Sequence, residues 1–262
     1  MQWKRLFIIL LIGIPFNIYV WLSIQSDKGN TQPTIVKPEA AKTQSQSQQE
    51  NASVIQRAIG GKLISIPSPK NWFEISSQMP TLFQTFEKLT LPPHRVVAAF
   101  ISNTDKESST PQFNRYILIT ASKDIEKMPD FPSSDFIKLK SQIKSHLKSQ
   151  KDFFVKKFKE KYGSSFSISD YPYSLKINTV APIGVFLDKR HALAQGSIVN
   201  TALVADIELT SSYENIAIGA ATLWVKGKIF NVEVKSKFET EEDMTWVKAK
   251  TEELVDLILL AN

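Results

Sequence analysis

Two apolar arms on either side of one glycine set the strongest limit on how this chain can fold. Ala217–Val225 and Ile229–Lys237 flank Lys226-Gly227-Lys228. Gly227 supplies the positive φ that a tight hairpin turn needs, so the arms read as adjacent antiparallel strands. In the second arm Phe230, Val232 and Val234 alternate with Asn231, Glu233 and Lys235. That period of two puts one face in a core and leaves the other wet. The chain then closes with a helix that has a full start signature. Thr240 is the N-cap, Glu241, Glu242 and Asp243 fill the first turn, and Met244, Val247, Thr251, Leu254, Val255 and Ile258 make an apolar stripe. Hairpin and helix each present one apolar face, and as neighbours in sequence they are expected to cover each other.

Upstream, short apolar runs bounded by Pro, Ser and Asn give strands at Leu63–Ile66 and Trp72–Ile75, with Pro67-Ser68-Pro69-Lys70-Asn71 between them. Pro80 suits the first turn of a helix running to about Lys88, and Arg95–Ser102 and Arg115–Ala121 read as strands. Ser134 or Asp135 opens a long helix to about Tyr162, stopped by Gly163. Further strands follow at Tyr173–Asn178, Gly184–Asp188, Ala192–Ile198 and Leu203–Leu209. Runs of strands broken by one or two long helices predict an α+β domain over 59–262, an antiparallel β-sheet covered by long amphipathic helices.

The N-terminus carries a separate signal. Lys4 and Arg5 precede nineteen uncharged residues, Leu6–Ile24. As a helix this run rises about 28 Å, close to the roughly 30 Å hydrocarbon core of a bilayer. It exceeds the usual signal-peptide core and no Ala-x-Ala-like site follows, so residues 1–24 read as an uncleaved signal anchor. The positive flank predicts a cytoplasmic N-terminus in a single-pass inner-membrane protein, with the C-terminal domain in the periplasm. Residues 25–58 are rich in Gln, Ser, Thr, Asn and Lys and read as a disordered tether.

Composition excludes several classes. The chain has no cysteine, which removes disulfides and thiolate metal sites, and only three histidines, too few for a dedicated transition-metal centre. The formal charge of +6 is local: residues 131–162 hold nine lysines against Asp135, Asp152 and Glu160, an excess of six. The remainder is neutral on balance, which argues against a general nucleic-acid binder.

The segment ISIPSPKNWFEIS (Ile64–Ser76), together with the late hairpin and its capped helix, resembles the PsbP-like and DcrB-like domains. That resemblance covers residues 62–262 and implies an α/β/α sandwich, mostly in non-catalytic accessory or assembly factors. It transfers no functional residue.

Two constellations are candidates for function. Along helix 134–162 the lysines Lys140, Lys144, Lys148 and Lys151 flank an apolar stripe, as a ridge for anionic lipid or polymer or as a solvated face. Asp188, His191 and Ser197 contain carboxylate, base and nucleophile, and an exported hydrolase would need them to converge. No Gly-x-Ser-x-Gly elbow exposes Ser197, and solvated turn residues are the alternative. Gly60-Gly61-Lys62 lacks the spacing of a phosphate loop and reads as a hinge from tether to domain. No catalytic, cofactor-binding or metal-ligating set emerges. The expected function is a membrane-tethered, non-catalytic interaction or envelope-assembly module with an envelope protein as partner.

Overall fold

The computed structural model describes residues 53–90, 93–104, 114–149, 166–167, 173–205 and 213–262. The described chain opens with a separate hairpin, β1 (Val54–Ile59) and β2 (Lys62–Pro67), paired antiparallel with Ile59 opposite Lys62. Gly60 and Gly61 form its two-residue turn at φ +54° and +80°, the double positive φ that suits right-twisted strands. The supposed hinge is therefore a hairpin turn, and residues 54–58, expected in the tether, belong to strand β1.

The main sheet contains β3 (Trp72–Glu74), β4 (His94–Ser102), β5 (Arg115–Ser122), β6 (Phe166–Ser167), β7 (Tyr173–Lys189), β8 (Ala192–Ala205), β9 (Tyr213–Val225) and β10 (Lys228–Lys237). Its order is β3-β4-β5-β10-β9-β8-β7-β6, and every pairing is antiparallel. The helices are α1 (Pro80–Leu89), α2 (Lys123–Glu126), α3 (Ser133–Ser149) and α4 (Glu241–Leu260). The β9–β10 hairpin turns at Lys226 and Gly227, φ +50° and +83°, as its sequence predicts.

One face of the sheet is closed by α4 and the β1–β2 hairpin. Met244, Val247, Leu254, Val255 and Ile258 pack into one core with Phe230, Val232 and Val234 of β10, Ile117 and Ile119 of β5, and Ile59, Ile64 and Ile66 of the hairpin. Gly219 permits the close approach of α4 to β9: a Cβ there would lie 2.3 Å from Thr251 Oγ1 and 2.8 Å from Val247 Cγ1. On the other face Phe136, Leu139 and Ile143 of α3 pack on Leu193 and Ile229, with Ile125 of α2 in the same cluster. Phe86 of α1 meets Tyr116 of β5, ring centroids 5.5 Å apart.

Three expectations are corrected. First, the described chain is mostly antiparallel sheet, ten strands with four helices, rather than a sheet roofed by long helices. The covering is shared: the β1–β2 hairpin joins α4 on one face, and the shorter α1 and α2 add to α3 elsewhere. Second, no described helix is long and apolar enough to cross a membrane. α4 has twenty residues, but Glu, Asp and Lys occupy its outer face. The single-pass, signal-anchor reading finds no support among the described residues, and residues 1–24 lie outside them. So does the stretch from 150 to Tyr162 expected to complete the lysine helix. Third, Asn231, Glu233 and Lys235 are not wet. β10 lies inside the sheet with both faces covered, and Glu233 and Lys235 are 0% exposed.

Candidate functional site

The site with the most recognisable chemistry is an open cleft of about 640 Å³ at the β3 end of the sheet. Its floor comes from local turn chemistry. Pro69 and Lys70 lead into Asn71, which takes φ +64°, a left-handed conformation that Asn tolerates better than most side chains. Trp72 N–H then donates to Pro69 O at 3.1 Å, closing the turn and sending Trp72 into β3 at the edge of the sheet. Just beyond β4, Asn103 N–H donates to Asn71 O at 3.0 Å, and Thr104 shares a hydroxyl hydrogen bond of 2.8 Å with Ser102 at the end of the strand.

The far wall comes from β5 and α4. Trp246 stacks on Trp72, centroids 6.0 Å apart and planes 26° from parallel. The Arg115 guanidinium carbon sits 4.4 Å from the Trp246 ring centroid, a cation–π distance. Arg115 Nη2 also donates to Asp243 Oδ1 at 3.2 Å, and Nε to Ser236 Oγ at 3.4 Å. The second oxygen of Asp243 accepts the backbone N–H groups of Glu239 (2.9 Å) and Thr240 (3.0 Å). Burial opposes ionisation of Asp243, but those two backbone donors and Arg115 outweigh it and hold the carboxyl below its ordinary range. Lys250, one turn beyond Trp246, pairs with Glu253 at 2.5 Å. Lys70 is exposed and has no charged partner among the described residues.

The cleft lining thus combines three cations, stacked indoles, carboxamides and hydroxyls, and among the described residues no carboxylate, histidine or nucleophile–base pair lines it. Such a surface can hold a ligand by charge and hydrogen bonding. Sequence reasoning placed Trp72 on a strand and Trp246 on a helix without joining them. The available signal was the position of Trp246, which falls off the Met244/Val247/Leu254 stripe and so needed a partner other than the strands that stripe covers.

The candidates read from sequence are placed elsewhere. Asp188 lies opposite Leu193 in the β7–β8 ladder, and Ser197 lies opposite Pro182. Four residues of strand separate Leu193 from Ser197, about 13 Å at the usual strand rise. His191, in the intervening turn, lies against Trp224, ring centroids 4.8 Å apart. Burial, then the charges of Arg190 and Lys140, lower its pKa. The structure therefore does not bring Asp188, His191 and Ser197 together. Asp188 instead accepts from Lys140 at 2.7 Å and Lys144 at 2.6 Å, and these two hydrogen bonds hold its pKa down against burial. Lys140 also donates to Lys189 O and is only 7% exposed, so it braces α3 against the β7–β8 turn rather than facing a polyanion. Lys148 is in the last turn of α3, and Lys151 lies outside the described residues. Among the described residues no group of acidic, histidine or cysteine side chains is arranged to hold a metal.

No family model matches the chain, and no curated protein matches it. Some solved structures are similar in outline. A point mutant of Mog1 is 12% identical, covering 80% of this chain and 94% of that one, with a TM-score of 0.34. The cyanobacterial PsbP of Synechocystis sp. PCC 6803 is 10% identical over 81% and 95% of the two chains, TM-score 0.33. The Ran-binding protein Mog1p of Saccharomyces cerevisiae is 11% identical over 80% and 95%, TM-score 0.31. A PsbP is among these structures, and nothing here supports the DcrB-like resemblance specifically. TM-scores this low carry no argument about ligand or activity.

Proposed function

We propose that this chain is a non-catalytic interaction module whose docking site is the cleft between Trp72, Arg115 and Trp246. The observation that supports the reading is the make-up of the cleft wall. Cations and carboxamides stand around a stacked tryptophan pair, and among the described lining residues there is no carboxylate, histidine or nucleophile–base pair. A site of this kind holds a partner group in place and leaves its bonds intact. The separation of Asp188, His191 and Ser197 along the strands removes the constellation that a hydrolase would have used.

The test has two arms on the full-length protein. Chromogenic ester, phosphoester and glycoside substrates should show no turnover above buffer. Turnover that copurifies with the protein and is lost in Ser197→Ala or His191→Ala would overturn the reading. In the second arm, an occupant of the cleft should change tryptophan emission, and Trp72→Phe should diminish that change.

A further inference from the structure

We propose that the cleft receives an acidic peptide segment, one carrying Asp or Glu carboxylates, from a protein partner; this rests on reading the chain as an interaction module. Lys70, Arg115 and Lys250 all line the cleft, and no carboxylate among the described residues lines it with them. Cations gathered in a cleft focus a positive field that a carboxylate entering it would meet. Their charges are committed unequally. Lys250 is paired with Glu253 and Arg115 with Asp243. Arg115 Nη1 and the Lys70 ammonium have no acceptor among the described residues. An incoming carboxylate can therefore be held by a guanidinium edge already fixed over Trp246 and by a mobile ammonium across the cleft.

Two further features favour a peptide over a small anion or a flat ring. β3 is the first strand of the sheet order, so its outer side carries no strand among the described residues. An extended segment can run along such an edge and use main-chain hydrogen bonds. The carboxamides of Asn71 and Asn103, in the same cleft, each offer the donor and acceptor that peptide groups require. Trp246, by contrast, already has Trp72 stacked against it and Arg115 over its ring. A base or sugar would need an indole face that is free to stack.

The experiment titrates full-length protein with synthetic octapeptides, following tryptophan emission and calorimetric heat. The probes are an Asp/Glu-rich peptide, its Asn/Gln-rich neutral counterpart, a Lys-rich counterpart, and inorganic phosphate. The acidic peptide should bind, weakening by about tenfold between low and high salt. Lys70→Glu should weaken it by roughly tenfold, and Lys70→Gln by less, because reversal adds repulsion to the lost attraction. Lys70 is exposed, so neither change threatens folding. Equal binding of the neutral peptide, phosphate competing as well as the acidic peptide, or no binding of the acidic peptide would each overturn the proposal. These results are separate from substrate turnover, which would instead sink the interaction reading itself.

Discussion

The carboxylate of Asp243 ties the N-terminus of α4 to Arg115 at the start of β5. One oxygen accepts the backbone N–H groups of Glu239 and Thr240, the other accepts Arg115 Nη2 at 3.2 Å. The helix cap and the orientation of the guanidinium over Trp246 therefore depend on a single side chain. A residue chosen for helix capping thereby shapes the wall of the cleft, which couples fold stability to the geometry of the proposed docking site.

Asp243→Ala is expected to cost about 1–2 kcal/mol, as losses of N-terminal caps do. Asp243→Asn, which keeps one acceptor oxygen but not the charge, should cost less. Because the folded pKa of Asp243 lies below its ordinary value of 3.8, the unfolded chain takes up the proton first as pH falls. The stabilisation is present above that ordinary value and is lost as pH drops through the folded pKa. Glu126, opposed by its own burial but held down by Arg95 and by the Gly60 N–H, acts in the same direction. Urea melts at pH 7 and pH 3 check both points. An acid loss equal in wild type and Asp243→Ala would show that this carboxylate is not responsible.

The buried pair on β10 makes the opposite prediction at alkaline pH. Glu233 and Lys235 lie 2.9 Å apart with neither side chain exposed, and their alignment is poor for a hydrogen bond. Burial lowers the Lys235 pKa from 10.5 to about 8, with Glu233 opposing that fall. Between those values the unfolded lysine holds a proton that the folded one has released, so stability should rise with pH across that window. Above pH 10 the trend should reverse, because burial, then Glu233, raises the Tyr116 pKa well above its ordinary 10.0. Lys235→Met alone should cost about 3–5 kcal/mol by leaving the buried Glu233 charge without its cation, whereas Glu233→Met with Lys235→Met should recover most of it. The double variant should also lose the alkaline rise. A neutral single variant would mean that the pair does not carry charge in the folded protein.

The parts of this fold that sequence reveals are those decided within a few residues. Gly227 and the alternation of Phe230, Val232 and Val234 specify the last hairpin, and the Met244-to-Ile258 stripe specifies the helix that covers it. The burial of Glu233 and Lys235 depends instead on elements far upstream: Thr120 of β5 meets Glu233, Tyr116 of β5 lies beside Lys235, and Phe86 of α1 packs on Tyr116. Nothing local distinguishes a polar strand face covered in that way from one left in water. Tyr173–Asn178 and Gly184–Asp188 read from sequence as two strands, yet β7 runs continuously through 179–183 with register irregularities. The cleft was invisible because Trp72, Arg115 and Trp246 come from three separate elements and carry no spacing motif. The Asp188/His191/Ser197 cluster shows the converse: closeness in sequence along a hairpin is not convergence in space.

Packing of α4 on the sheet gives a sharper test than hydrophobicity alone. Leu254 is fully buried, so Leu254→Ala should cost about 2–5 kcal/mol. Glu253→Ala, at an exposed position, should stay within about 0.5 kcal/mol. Gly219→Ala adds only a methyl group, but it would press on Thr251 Oγ1 and Val247, and should cost about 1–3 kcal/mol as overpacking does. Adding Thr251→Ala should recover part of that loss. Thermal or urea unfolding of the four variants reads the series, and a harmless Gly219→Ala would show that α4 does not sit this close to β9.

The last prediction concerns the outer side of β7. β8 pairs with it from Tyr173 to Lys189, whereas on its other side, among the described residues, β6 reaches only Ser174 and Leu175. Ile183 and Val185 stand exposed on this strand at 42% and 38%. An edge with apolar side chains and unpaired backbone groups is a template for self-association. Register shifts at Ile177/Thr179, Pro182/Gly184 and Val185/Leu187 interrupt it, and Pro182 removes a backbone donor. Pro182→Val restores the donor and raises strand propensity, so it should increase concentration-dependent association while leaving the unfolding midpoint of dilute protein nearly unchanged. Pro182→Lys, which restores the donor but adds an edge charge, should associate less than Pro182→Val. Light scattering over a concentration series distinguishes them. Identical scattering from wild type and both variants would mean that the irregular edge of β7 is not what holds association back.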